Sequence, residues 1–325
     1  MHYFYDALVK ELFYNPNFRL DQNDIVLNTY NILSGSYKNN DNEIKMVEKL
    51  CSCLHNKKCG KAKLYAVKVH GNRSKAEFYN ATNKLVKKEL ADMVVISLVT
   101  FKNQIILEKI AFIQNKKENS KDIKKWSIDQ DQLFLLNNFP TFNGVSGIFG
   151  KQKNIALPNI FGQLGCYGLF HSDGDMVFAN TKIINALQNT NVISLNNLRN
   201  ESAKNNTLYN TDLLFTPECR EDIFYFLKYN LMYPNLIKLP ILGNCELALN
   251  LYQFIRNWTQ LNIGETTIVR GKVINSILSG LADYFMKGSG ISNFIKYLKI
   301  ENEETYDWNS DFDGAVFVLH HNIED

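Results

Sequence analysis

The chain has 325 residues, of which 45% are hydrophobic and 21% charged, with a net charge of +3 at pH 7. That length allows one large or two ordinary domains with a real core, and the balance excludes a disordered chain. The excess positive charge is too small to mark a nucleic-acid binder by itself, so any basic footprint has to be local.

The first 35 residues are mixed and aromatic-rich, and Tyr3, Phe4, Tyr5, Phe13 and Tyr14 read as packing residues. The N-terminus lacks the basic, apolar, small-residue order of a signal peptide, and no apolar run approaches the ~20 residues that span a bilayer. A cytoplasmic protein with no membrane partner is expected. Over 42–55, Ile44, Val47, Leu50 and Leu54 recur at helical spacing and predict an amphipathic helix. Cys51, Cys53, His55 and Cys59 invite a zinc reading, but the C-x-C spacing is too tight and no second knuckle follows. Reduced thiols are expected instead.

Residues 63–70 and 75–79 alternate around Gly71, Asn72 and Arg73 and predict a hairpin, with His70 and Arg73 at its turn. Next come two Val- and Ile-rich runs, 90–100 and 104–114, separated by Lys102 and Asn103. Each suits a strand buried on both faces, and together they predict an antiparallel pair. Gln114 and Lys116 then share one face while Asn115 points away, and Asp92 at the start of the first strand lies beside them. Lys117, Lys121, Lys124 and Lys125 follow as a cationic strip interrupted by Glu118 and Asp122, either a solvated loop or a docking strip for phosphates.

Ser127 or Asp129 can cap a helix carrying Leu133, Leu136 and Phe139 and stopped at Pro140, with Gln130 and Gln132 in its first turn. Beyond residue 150 the expected elements are strands at 166–170 and 176–178 around a tight turn, and a polar loop at 196–212. Helices at 218–232, 245–259 and 272–286 and a strand at 315–320 follow. His320 and His321 are adjacent, so on a strand they face opposite ways; they read as surface residues. The chain has no P-loop, dinucleotide fingerprint, H-E-x-x-H or G-x-S-x-G, so the common nucleotide-binding, metalloprotease and serine-hydrolase readings fall away.

The order of acid, paired strands and Q-x-K, carried by Asp92, Gln114 and Lys116, resembles the PD-(D/E)xK nucleases, the restriction-endonuclease-like superfamily, in a variant with Gln for the second acid. The longer pattern over 64–143 resembles uncharacterised bacterial proteins built on that core. The resemblance implies a mixed α/β (α+β) fold, with a central sheet flanked by helices. Residues 1–150 would form the nuclease-like core, and 151–325 a partly helical region for recognition or assembly. It implies Mg²⁺ or Mn²⁺ held by Asp92 and Gln114, with Lys116 and Glu89 completing the catalytic set. Glu43 or Glu48 on the preceding helix would be a further ligand. The implied activity is metal-dependent cleavage of nucleic acid, DNA first, in defence against phage. A homo-oligomer or a defence-system partner protein is compatible with it. One alternative is a catalytically inactive nucleic-acid- or partner-binding subunit in which Asp92 and Lys116 form an ordinary ion pair; the other is a plain sheet in an unrelated enzyme whose chemistry lies in the second half of the chain.

Overall fold

The strands at 93–101 and 104–117 form the centre of a ten-stranded mixed sheet, seen in a computed structural model that describes residues 8, 10–69, 73–102, 104–118, 124–159, 162–172, 174–187, 192–205, 248–269, 271–288 and 314–323. Two helices precede the sheet. Helix α1 (Pro16–Lys38) begins where Asn15 Oδ1 accepts the Asn17 N–H at 3.0 Å and Pro16 occupies the first turn. Helix α2 (Glu43–Leu54) is capped in the same way by Asn42, whose side chain accepts from Lys45 N–H at 3.0 Å. Its buried face is Met46, Val47, Leu50, Cys51, Cys53 and Leu54, rotated from the expected stripe so that Ile44 stays exposed.

Strands β1 (Lys57–Cys59) and β2 (Ala62–Val69) form one edge of the large sheet. Strands β3 (Lys75–Tyr79) and β4 (Leu85–Glu89) leave it and pair with β8 (Asn143–Ser146) in a separate three-stranded sheet. The hairpin expected between 63–70 and 75–79 is therefore not formed: β2 and β3 belong to different sheets. The chain re-enters the large sheet as β5 (Met93–Phe101), turns, and returns as β6 (Gln104–Lys117), pairing Met93 with Ile113 and Phe101 with Gln104. Strand β7 (Lys125–Ser127) and α3 (Gln130–Asn138) follow. Asp129 Oδ1 caps α3 on the Gln132 N–H at 2.9 Å, and Phe139 ends it in the left-handed region.

Strands from both sides of residue 150 share the large sheet. Strand β9 (Gly165–His171) runs parallel to the second half of β6, and β10 (Asp175–Asn180) returns beside it. Short α4 (Thr181–Ala186), β11 (Val192–Ser194, paired with β7) and α5 (Leu195–Asn205) come next. Strand β12 (Ala248–Asn250) joins β10 and is followed by α6 (Leu251–Thr259). Strand β13 (Glu265–Val269) pairs with the first half of β6 and with β14 (Lys272–Val273), and α7 (Ser276–Gly288) comes next.

The last strand, β15 (Gly314–Ile323), lies between β2 and β5, antiparallel to the first and parallel to the second. Residues 314–323 thus pass through the middle of the sheet built by residues 62–117. His320 and His321, read as surface residues from the sequence, are buried here. His320 Nε2 lies 2.7 Å from Thr100 Oγ1, and His321 Nε2 lies 3.0 Å from the Thr259 carbonyl on the other face. Burial holds both imidazoles well below their usual range, at about 3 and about 4, so they sit in the sheet as neutral hydrogen-bonding groups.

The predicted loop at 196–212 is helical as far as Asn205, and the helix predicted over 245–259 begins only at Leu251, after a strand. The helix predicted at 218–232 lies outside the described residues, as do Lys121 and His70. Cys51, Cys53 and Cys59 are buried free thiols. Cys59 Sγ donates to the Phe18 carbonyl at 3.4 Å and Cys53 Sγ lies 3.5 Å from Thr29 Oγ1, so both seat α1 against its neighbours. Among the described residues no helix is long and apolar enough to cross a membrane.

Candidate active site

Asp92 ends the three-residue step, Leu90 to Asp92, between the small sheet and the large one. Leu90 N–H donates to the Ser74 carbonyl at 2.7 Å, and the Gln132 side chain of α3 donates to the Glu89 carbonyl at 2.6 Å. These bonds end β4 and bend the chain. The backbone of Asp92 then bridges two strands: its N–H donates to the Ile113 carbonyl at 3.1 Å and its carbonyl accepts from Ala315 N–H at 2.9 Å. Because β5 and β6 are antiparallel, this places the Asp92 side chain against Gln114 and Asn115.

One carboxylate oxygen of Asp92, Oδ2, accepts from the Gln114 amide and from the Asn115 N–H, the latter at 2.7 Å. Gln114 Oε1 is buried and has no hydrogen-bond partner among the described residues. Lys116 lies two residues along on the same face of β6, close enough for its charge to act on Asp92. Glu43, in the first turn of α2, accepts the Lys117 N–H at 2.6 Å, and its charge also reaches Asp92. The structure thus brings Asp92, Gln114, Lys116 and Glu43 to one end of the central strands. Glu48 lies further along α2, one turn before Ser52, whose hydroxyl donates to its carbonyl at 3.0 Å.

Glu89, implied as a further member of the set, is three residues before Asp92. It ends β4 in the small sheet and faces the Arg73 guanidinium at 3.6 Å. Lys117 departs from its expected docking role. Its ammonium donates to Asn40 Oδ1 at 3.1 Å and to the Asp41 carbonyl at 2.8 Å, and it lies 5.2 Å from the Tyr37 ring centre. It is a strut between β6 and the loop after α1. Lys125 is exposed on β7, and Lys124 precedes it with a left-handed backbone whose N–H donates to Glu118 at 2.7 Å.

Burial pushes the Asp92 carboxyl up to about 6, opposed by the Asn115 N–H and the Lys116 charge, reinforced by Glu43 and opposed again by Arg73. Although the residue keeps some solvent contact, protein fills the volume around its carboxyl. The folded value exceeds the ordinary 3.8, so between those two values the folded chain holds a proton that the unfolded chain has lost. Stability therefore falls as pH rises through that window, by about 3 kcal/mol for this group, and the penalty is complete above about 6. Asp92→Asn should accordingly raise the unfolding free energy at pH 7.5 by up to about 3 kcal/mol and leave it nearly unchanged at pH 3.5. Urea titrations at the two pH values check this; an equal effect at both would show that the carboxyl is not desolvated.

The donor set fits a hard divalent cation. A carboxylate that pays for desolvation and an orphaned amide oxygen are both oxygen ligands of the kind Mg²⁺ and Mn²⁺ take. Among the described residues no group of three or more His, Cys, Asp or Glu side chains is arranged to hold a metal, so such an ion would keep much of its water.

Tyr167 and Gln132 are the site residues that sequence reasoning passed over or left without a role. Gln132 sits in the α3 position named for it but acts on the Glu89 backbone, holding the bend before Asp92. Tyr167 sits beside Gln114 because β9 runs parallel to β6, a pairing that no local pattern encodes. Comparison of the chain with protein-family models, with curated proteins and with solved structures finds no match.

Proposed function

We propose that the protein is a metal-dependent nuclease that hydrolyses phosphodiester bonds, with DNA as its first expected substrate. The observation that carries this reading is the convergence of Asp92, Gln114, Lys116 and Glu43 at one end of β5 and β6, built from three separate stretches of chain. A helix precedes the sheet, with Glu43 in its first turn, and another follows the Q-x-K strand, as the resemblance to PD-(D/E)xK nucleases leads one to expect. A role in defence against foreign DNA follows from the same resemblance and would suit such an activity.

In this mechanism the Asp92 carboxylate and Gln114 Oε1 would hold Mg²⁺ or Mn²⁺. When bound, the ion supplies a more acidic water and neutralises charge on the phosphate. Lys116 contributes a positive charge beside Asp92, placed to orient the attacking water and to face the negative charge that grows on the pentacoordinate phosphate. The Asn115 N–H and the Gln114 amide both fasten the same oxygen of Asp92, which leaves the other oxygen of that carboxylate to face the reacting groups. Gln132 keeps the bend at Glu89 and so keeps Asp92 at the strand end. Arg73, more than half exposed just before β3 and acting on Asp92 electrostatically, adds positive charge where a polyanion would approach.

The test is cleavage of single-stranded and duplex DNA and of RNA by the purified chain with Mg²⁺, Mn²⁺ or a chelator. Cutting that needs the cation and disappears in Asp92→Ala is the expected result. A second reading has one observation in its favour: Oδ2 of Asp92 is already satisfied by Gln114 and Asn115, as in a closed structural network. Tight nucleic-acid or partner binding without cleavage under any metal would establish that reading instead.

A further inference from the structure

In the parallel pairing of β6 with β9, Gln114 lies directly beside Tyr167, so both side chains leave the same face of the sheet. The next residue follows the alternation: Gly168 faces the other side, where a side chain would collide with Asn115 Oδ1. Tyr167 is fully buried, and its hydroxyl has no hydrogen-bond partner among the described residues; neither has Gln114 Oε1. Leaving one such group unpartnered costs roughly 1–3 kcal/mol, and buried polar atoms are nearly always satisfied. Two orphaned oxygens on neighbouring residues, next to a desolvated carboxylate, mark a place built for something that donates hydrogen bonds.

A hydrated divalent cation has that character. Magnesium sheds water reluctantly and is commonly held by one or two carboxylates, with its remaining waters donating to surrounding oxygens. Burial, reinforced by the Asp129 and Asp92 carboxylates, keeps the phenol protonated, so it offers an uncharged oxygen. We propose that Tyr167 belongs to the same cation-holding set as Asp92 and Gln114, as a positioning residue whose hydroxyl accepts a hydrogen bond from a water carried by the ion. The assignment rests on the reading of Asp92 and Gln114 as a cation site.

Mn²⁺ binding to the full chain, followed by calorimetry, separates the two ideas. Wild type should bind and Asp92→Ala should not, while Tyr167→Phe should bind about tenfold more weakly, the size of loss seen when an outer partner of a metal site is removed. On the unaltered protein, the ring-carbon resonance of Tyr167 next to the hydroxyl should move when Mg²⁺ is added. Unchanged Mn²⁺ affinity in Tyr167→Phe and an unmoved resonance would overturn the role of Tyr167 while leaving the cation site in place. Wild type that fails to bind Mn²⁺, or Asp92→Ala that still binds it, would overturn the cation site and this inference with it.

Discussion

Lys116→Ala should lower the rate of phosphodiester cleavage by about 10²–10³-fold, the loss expected when one preorganised group facing the developing charge is removed. Nucleic-acid affinity should change little, because the interaction that matters strengthens only in the transition state. The side chain sits on the Gln114 face of β6, beside Asp92, rather than among the exposed cations that follow. The contrasting variant is Lys124→Ala/Lys125→Ala. It should weaken binding and flatten its salt dependence, with a log-log slope falling by roughly 0.9 for each duplex phosphate that is no longer neutralised, and leave turnover at saturation nearly unchanged. Lys117 is left out of that pair because its ammonium is tied to Asn40 and Asp41; replacing it should loosen the junction between α1 and β6. Filter binding across a salt series and single-turnover cleavage separate the two classes. The same phenotype from both would remove the distinction between a catalytic and a docking lysine.

A chain ending before residue 314 should not fold at all. Strand β15 pairs on one side with β2 and on the other with β5, over eight and nine residue pairs respectively. Ala315, Val316, Phe317, Val318 and Leu319 are essentially without solvent contact, and Phe317 packs edge-on against Trp258 at 6.2 Å. Removing the strand would leave two rows of backbone donors and acceptors unpaired inside the sheet and strip the core of five apolar side chains. The expected outcome is loss of the cooperative unfolding transition and rapid proteolysis across residues 62–117. The milder Phe317→Ala should cost about 3–5 kcal/mol, the usual range for an aromatic removed from a packed core. Circular dichroism melts and limited proteolysis check both. A truncated chain that still melted cooperatively would mean that the sheet closes without β15.

Much of the site was legible because its parts are close in sequence or lie on one strand. Alternation alone put Gln114 and Lys116 on one face and Asn115 on the other, and the antiparallel turn at Lys102 brought Asp92 to them. The helix cap at Asp129, one of the two that the sequence offered, was equally local, being a short polar side chain ahead of an apolar stripe. Helix α1 escaped notice because its buried positions, Phe18, Gln22, Ile25, Thr29, Leu33 and Ser36, are half polar, and the apolar period is blurred. Gln22 is satisfied at a distance, by Thr259 at 2.6 Å, while Thr29 donates to the Ile25 carbonyl and Ser36 to the Asp41 carboxylate, each at 2.7 Å. Nothing in the neighbourhood of Glu89 says that β4 ends in a different sheet from β5.

The sequence by itself determined the central antiparallel pair and the polar cluster at its end, because period, cap and turn signals act over a few residues and need no partner. The tertiary structure alone decided that the two halves share one sheet, that β15 runs through its middle with His320 and His321 buried, and that Tyr167 stands beside Gln114. Pairing between distant strands depends on which backbone edges meet. The choice is settled by the summed burial of the whole chain, and no single segment carries it.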